Sequence, residues 1–329
     1  MPNDTLLLRR ADVAALLTME HCITAVEDVF RRQGEGKIPP SEILGVKTPE
    51  GGLHVKAALL PNDHSYLVAK LNTNFPRNAR NFRLPTIQGV IVVCDAENGA
   101  PLAIMDSIEI TIMRTAAASA VAAKYLARPN SATATVCGCG VQGRAQLQAL
   151  NVVFRLKKIH AFDCEQDAAK KFAAELSAEL KLQIEPVADV GLAIRQSDIC
   201  ITCTPSREFY VRKEDVAPGT FISAVGADNE NKQEIDPALM ASAKIVTDSL
   251  EQCSKIGDLH HAPVRGLMRK EQVHAELAEI VARRKRSRID DEEIIIFDST
   301  GVAIEDAVAA AAVYEKARAG SVVTYFNFQ

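Results

Sequence analysis

Residues Gly138-Cys139-Gly140-Val141-Gln142-Gly143 have the spacing of a turn that cradles a pyrophosphate. An apolar run at 132–137 reads as the strand before it, and a periodic segment from Val141 reads as the helix after it. Gly138 suits a tight turn, Gly140 lets backbone approach a phosphate, and Gly143 allows a helix to lie close on a strand. The helix start adds N–H groups without partners and a partial positive charge. Asp163 ends the next strand-like run about 20 residues on, where a carboxylate would grip a ribose 2′-hydroxyl. That carboxylate would repel a 2′-phosphate, and Cys164 and Glu165 follow it rather than an arginine, so NAD(H) is expected over NADP(H). The alternative is a glycine-rich turn with an incidental aspartate.

Three further residues could do chemistry on a small acid. Lys70 lies in the apolar run Val68-Ala69-Lys70-Leu71-Asn72, where a lysine either snorkels outward or points into a pocket. Arg114, in an alanine-rich helical segment, is equally open to a structural or a binding reading. Asp228 follows Ala224-Val225-Gly226-Ala227 at the carboxyl end of a strand, the edge at which open α/β sheets bind ligands.

Other candidates read as structural. Cys200-Ile201-Thr202-Cys203 is formally a CxxC, but strand alternation would put its sulfurs on opposite faces, and no second ligand pair accompanies it. Cys137 and Cys139 read as packing residues, and the adjacent His260-His261 lacks ligand spacing, so no metal is expected. The basic run Arg283, Arg284, Lys285, Arg286, Arg288 is cancelled by Asp290, Asp291, Glu292 and Glu293, which suits a solvated helix end and loop.

The elements that must position these residues fall into two textures. Residues 11–32 carry apolar residues at helical spacing and read as one or two helices; 52–60, 66–72 and 89–94 read as strands, and 108–126 as a helix. From Ser131 strands alternate with helices: strands at 133–136, 158–163, 183–187, 198–204, 220–225, 244–248 and 293–298, helices at 141–154, 165–180, 237–243 and 272–284. Such alternation is the pattern of a parallel sheet wrapped by helices. The expected class is therefore α/β: a Rossmann-type dinucleotide-binding domain at 129–310, and an α+β domain at 1–128 joined by 311–329, with the helix at 302–319 crossing back. At 329 residues the chain is long enough for two domains. With 47% hydrophobic and 24% charged residues and a net charge of −4, it carries no basic footprint for nucleic acid or a membrane surface. No stretch approaches about 20 apolar residues, Met1 leads into polar sequence, and the eight cysteines form no secreted framework, so a cytoplasmic location is expected.

With these residues in view, the chain resembles the ornithine cyclodeaminase/μ-crystallin family. The resemblance is carried by Lys70-Leu71-Asn72 with Phe75-Pro76-Arg77-Asn78, Pro85-Thr86, Met113-Arg114-Thr115-Ala116-Ala117, the glycine turn, Val225-Gly226-Ala227-Asp228, Asp248-Ser249-Leu250-Glu251-Gln252, and the segment from Asp298-Ser299-Thr300-Gly301 through Glu305-Asp306. It implies a homodimer whose first domain binds substrate and dimerises. It also implies that Lys70 contacts the substrate, that Arg114 holds its carboxylate and that Asp228 is the acid/base residue. Cofactor contacts are implied at Thr86, Gly140, Val141, Gln142, Asp163, Thr204, Ala224, Gly226, Lys232 and Ser299.

Two departures bear on the reaction. Cyclodeaminases carry an acidic residue on the strand before the lysine to handle the substrate amine; the match here is His54, a candidate substrate contact that also reads as a half-buried strand histidine. Asn229-Glu230-Asn231 stands where their Pro-Gly turn would be. The expectation is an NAD(H)-dependent amino-acid dehydrogenase or ketimine reductase. The alternatives are an ornithine cyclodeaminase, which releases ammonia without net redox, and a non-catalytic crystallin-like binding protein. On the leading reading, a nucleotide at the glycine turn serves a pocket shared by Lys70, Arg114 and Asp228.

Overall fold

The structure is a computed structural model describing residues 4–320 and 324–328. Residues 1–3, on which the location reading leaned, lie outside the described residues, as do 321–323 and 329 of the expected first domain. The strands run β1 (Thr5–Leu8), β2 (Glu42–Lys47), β3 (Gly52–Leu60), β4 (Tyr66–Asn74), β5 (Ile87–Asp95), β6 (Pro101–Asp106), β7 (Thr133–Cys137), β8 (Lys158–Phe162), β9 (Gln183–Pro186), β10 (Ile199–Thr202), β11 (Phe221–Ala224), β12 (Lys244–Thr247), β13 (Ala275–Glu276), β14 (Ile295–Asp298) and β15 (Thr324–Phe326).

Two compact units result, 1–114 with 302–329, and 115–301. These differ from the expected breaks at 128 and 310. The helix Ser107–Leu126 is a single element, but its second half is tied into the second unit. There Ser223 donates to Ser119 (3.0 Å), and Arg288 donates from Nε to the Leu126 carbonyl (3.0 Å). The last helix, Ala303–Ala319, belongs whole to the first unit, because the acids of its first turn are paired there.

In the first unit the sheet order is β15-β1-β6-β5-β4-β3-β2, antiparallel except for β1 beside β6. On β4 the residues Tyr66, Val68 and Lys70 alternate onto the buried face while Leu67 is exposed, the period-two pattern of a half-covered strand. The covering element is Ala303–Ala319, which packs on β3, β4 and the helix Met19–Gly34. Its small alanines let it lie close to the sheet. The segment 11–32 resolves into two helices, Arg10–Leu16 and Met19–Gly34, because Thr18 caps the second by accepting from the His21 N–H. Strand β2, exposed along its whole length, had no apolar alternation by which to announce it.

The second unit holds the expected parallel sheet, in the order β13-β12-β14-β11-β10-β7-β8-β9. Its central strands are buried on both faces, hence their unbroken apolar runs. The chain steps outward from β7 to β9 and then returns to the other side of β7 at β10. The order therefore reverses between β7 and β10, the crevice where such sheets take ligands. One sequence expectation fails here, and a second holds only in part. The helix expected at 272–284 is a 3-10 turn Lys270–Gln272, strand β13 and a short helix Leu277–Val281; Ala275 pairs with Val246, so the edge-strand ladder overrides the helical pattern. Arg283, Arg284, Lys285 and Arg286 of the basic run are exposed, as expected of a solvated helix end and loop, whereas Arg288 is half-buried, its Nη1 donating to the Glu293 carbonyl (2.5 Å) and its Nε to the Leu126 carbonyl.

Candidate active site

In the first unit, Lys70 and Arg114 meet through one carboxylate. Lys70 Nζ lies 2.6 Å from Asp306 Oδ2, and Arg114 Nε donates to Asp306 Oδ1 at 2.9 Å. Arg114 Nη1 donates to Glu305 Oε2 at 2.7 Å, and Lys70 also reaches Thr111 Oγ1 at 3.4 Å. Lys70 is 4% exposed and Arg114 5%. Charges so deep persist only when paired and hydrogen-bonded, and here the pairing fixes both cations in place. Glu305 and Asp306 occupy the first turn of Ala303–Ala319, where the helix dipole favours negative charge.

The electrostatics follow from this burial. Removal from water, reinforced by Arg114 and Lys56 and opposed by Asp306, lowers the Lys70 ammonium to about 7. Burial works against the charge of Asp306 too, but Arg114, Lys70 and Lys56 overcome it and hold the carboxyl below its ordinary value. A lysine poised near neutrality beside a fixed guanidinium can hold an acid and shift a proton. His54 is exposed rather than half-buried, and it pairs across to Asn72 on β4. The sequence reading gave Lys56, Glu305 and Asp306 no role. Two adjacent acids opening an otherwise alanine-rich helix were the signal available for the last two.

In the second unit the glycine turn depends at two positions on the absence of a side chain. Gly138 has φ +101°, and a side chain there would come within 2.9 Å of the Cys203 carbonyl. A Cβ on Gly143 would stand 2.1 Å from the Gly138 carbonyl, so helix and strand approach as closely as only glycine permits. At Gly140, the N-cap of Val141–Val153, a Cβ would meet nothing within 4 Å, which leaves the backbone open to a ligand. Val141 is exposed, and the buried Oε1 of Gln142 has no hydrogen-bond partner among the described residues. Asp163 accepts from the Cys139 N–H at 2.8 Å and from the Glu165 N–H at 3.0 Å, anchoring the end of β8 to the turn. Burial, with Asp163 nearby, pushes the Cys139 thiol up to about 12, so the turn's cysteine is inert, as the packing reading expected. Cys203 lies just past the end of β10 rather than within a strand.

Around Asp228 the organiser is Glu234, another residue the sequence reading missed. Its Oε1 accepts from the N–H and hydroxyl of Thr204 (both 2.7 Å) and from Tyr210 (2.8 Å). Its Oε2 accepts from Thr202 (2.8 Å) and the Gly226 N–H (3.0 Å). Burial raises its carboxyl despite these donors. Thr202, Ala224 and Asp298 are in register across β10, β11 and β14. Thr204, Gly226 and Ser299 therefore lie just beyond one sheet edge; Ser299 donates to Asp248 (2.9 Å) and to the Ala224 carbonyl (3.0 Å). Asp228 is exposed and ion-paired with Lys232 at 2.8 Å; Lys232 also donates to the Gly226 carbonyl (3.2 Å). Of the expected site residues, Lys70, Arg114, His54 and Thr86 stand in the first unit, and Asp228 with the remaining cofactor candidates in the second. Thr86 is exposed and accepts from the Phe75 N–H through its carbonyl (2.8 Å).

Comparison with known proteins gives concordant results. The family model for the ornithine cyclodeaminase/mu-crystallin family matches residues 3–321. An alanine dehydrogenase from Archaeoglobus fulgidus is 38% identical over 330 residues, 98% of this chain and 99% of that protein. The solved structure of an archaeal alanine dehydrogenase dimer with bound NAD superposes with a TM-score of 0.94 at 38% identity, covering 99% of this chain and 100% of that one. The Δ1-pyrroline-2-carboxylate reductase of Thermococcus litoralis, solved with NADH and L-proline, gives a TM-score of 0.92 at 38% identity over 97% and 99%.

Proposed function

The chain belongs to the ornithine cyclodeaminase/mu-crystallin family, and from that premise we propose that it is an NAD(H)-dependent oxidoreductase interconverting a small α-amino acid with its α-keto or α-imino acid. The open backbone at Gly140, the close packing at Gly143 and the carboxylate of Asp163 fit the dinucleotide, with Val141, Gln142, Thr204, Ala224, Gly226 and Ser299 as further contacts. When bound, NAD(H) supplies or takes up the hydride.

The chain's own groups do the rest. Arg114 holds the substrate carboxylate through charge-assisted hydrogen bonds, its guanidinium plane fixed by Glu305 and Asp306. Lys70 donates from its ammonium to oxygen on the reacting carbon and stabilises negative charge developing there. Asp228 moves a proton to and from the reacting nitrogen, with Lys232 holding its carboxylate. In the reductive direction ammonia replaces the keto oxygen, water leaves, and the α-carbon gains the hydride while the nitrogen takes the proton.

The observation that carries this reading is the sharing of Asp306 by Lys70 and Arg114, which fixes two charged donors side by side in a buried setting where they can meet an acid. The test is a panel of 2-oxo acids with ammonia, and of cyclic 2-imino acids, followed by NADH absorbance and ammonia release together. NADH should be consumed in step with substrate, and NADPH far more slowly because Asp163 repels a 2′-phosphate. Ammonia released from L-ornithine without net change in the cofactor would replace this reading with cyclodeamination.

The same reading makes the protein a cytoplasmic homodimer acting on small molecules, without nucleic-acid partners. Among the described residues no helix is long and apolar enough to cross a membrane. Leu44, Leu67 and Val90 are exposed on the uncovered face of the first unit's sheet and suit a dimer interface. Light scattering should give twice the 35.6 kDa of one chain.

A further inference from the structure

The chain leaves β11 through Gly226, turns back between Asn229 and Lys232, and returns to Glu234, whose Oε2 accepts from the Gly226 N–H (3.0 Å). Residues 226–234 are therefore a loop closed at its base by one carboxylate. Within it the Lys232 N–H donates to the Asn229 carbonyl (3.2 Å), and the Lys232 ammonium reaches both the Gly226 carbonyl and Asp228. The Asn229 side-chain amide donates to Asp228 Oδ1 (3.0 Å). Asp228 is thus set by groups of the loop, and the loop is set by Glu234.

The base of the loop is shaped for that carboxylate. A Cβ on Gly226 would stand 2.2 Å from Glu234 Oε2, so only glycine lets the acid come this close. The other oxygen ties the loop to the end of β10 through the Thr204 N–H (2.7 Å). Glu234 is itself fixed from behind, because Asp258 Oδ1 accepts from the N–H groups of Glu234 and Ile235 (2.7 and 2.9 Å). Asp298, at the end of β14, in turn accepts from the N–H groups of Asp258 and Leu259 (3.2 and 2.9 Å). Asp298, Asp258 and Glu234 are all buried, and each holds the backbone that carries the next. Burying carboxylates works against stability, which points to a positional task for the series.

We propose that Glu234 is the positioning residue of this site: by pinning Gly226 and Thr204 together it sets the loop that presents Asp228 to the reacting nitrogen. The inference rests on the oxidoreductase reading above and deepens it. A carboxylate suits the task because the two backbone N–H groups can only donate, one to each oxygen. A glutamine of the same shape has one oxygen, so whichever way it is turned an N–H meets an N–H.

The test is a double-mutant cycle of Glu234→Gln and Asp228→Asn, reading kcat at saturating NADH on the panel substrate consumed fastest. Glu234→Gln should lower kcat roughly 10- to 100-fold, the cost of a misplaced reacting group. Asp228→Asn should lose about 10²- to 10⁴-fold, the worth of a general acid–base group, a rate still measurable with concentrated enzyme. In that background Glu234→Gln should change kcat by less than about twofold, because the group it misplaces is gone. An equal loss in both backgrounds, or no loss in the first, overturns the proposal. Should Glu234→Gln fail to fold, Tyr210→Phe takes its place in the cycle, since it removes one donor to Glu234 and keeps the ring. A loss of about threefold, one neutral hydrogen bond, should then vanish beside Asp228→Asn, and any other pattern overturns the proposal.

Hydrogen exchange of the NAD-loaded protein supplies a readout independent of turnover. Peptides covering 203–206 and 224–234 should exchange about tenfold faster in Glu234→Gln, while 133–137 exchanges as in the parent; unchanged exchange overturns the proposal. If the parent consumes no NADH on any panel substrate, the oxidoreductase reading falls, and faster exchange in the variant leaves the hold of Glu234 on the loop standing. An Asp228→Asn variant as active as the parent leaves the oxidoreductase reading in place and overturns the proposal.

Discussion

The second unit builds its candidate site from backbone, and the first builds its own from buried charge. At Gly138, Gly140 and Gly143 the working feature is the missing side chain: one residue in the left-handed region, one left open, one pressed against a carbonyl. In the first unit Lys56, Lys70, Arg114, Glu305 and Asp306 supply formal charges from two strands and two helices, and most are nearly inaccessible to water. A backbone cradle is specified by six consecutive residues and costs little when empty. A charge cluster is stable only as a set, since removing one member leaves another buried without compensation. Damage to the first unit's site should therefore reach the fold, and damage to the turn can be confined to binding.

The largest expected effect tests the charge cluster. Arg114→Met leaves Glu305 and Asp306 buried with their main cation gone, at a cost of about 3–5 kcal/mol. Urea unfolding should register that loss alongside abolished turnover; unchanged stability would mean the cluster is not the cooperative set described. Next come the glycines, where the turn itself can be divided. Gly143→Ala should weaken NADH binding and lower the melting temperature, because its Cβ collides with backbone. Gly140→Ala should weaken NADH binding, read by nucleotide fluorescence, while melting like the parent, because the space it fills is empty of protein. If both variants melt alike, open and closed positions in the turn are not distinct.

The smallest effect is a change of pH profile. Lys70 is held at about 7, well below the ordinary 10.5, so its ammonium is present below about pH 7 and lost above it. Reductive kcat/KM should fall as pH rises through that value, and Lys70→Arg, less active but permanently charged, should lose that limb. The sign for stability is the reverse. Between about pH 7 and 10.5 the unfolded chain binds the proton that the native chain refuses, so this group's contribution to stability rises with pH across the window.

Much of this was legible beforehand, for reasons that differ by residue. The glycine turn, the helix from Val141 and the aspartate ending β8 were readable because strand, turn and helix are contiguous and each imposes a local pattern. Lys70 and Arg114 were visible only as charges in apolar runs, equally compatible with a solvated stem; the resemblance, not the spacing, singled them out. Lys56 and Glu234 were invisible, since the register that sets Lys56 against Lys70 and the fold that gathers five hydrogen bonds onto Glu234 leave no mark on neighbouring residues. The boundary at residue 114 escaped for a related reason, because a helix reads the same whether or not its two halves pack on different sheets.

The sequence by itself determined the alternation of strands and helices after Ser131, the glycine turn between strand and helix and the identity of its three glycines, because periodicity and missing side chains act over a few residues. Only the tertiary structure decided that Asp306 stands between Lys70 and Arg114, that Lys56 faces Lys70, and that Asp228 is exposed and held by Lys232. Charges interact through space at a few ångströms, and whether residues far apart in the chain come that close is settled by strand register and helix packing.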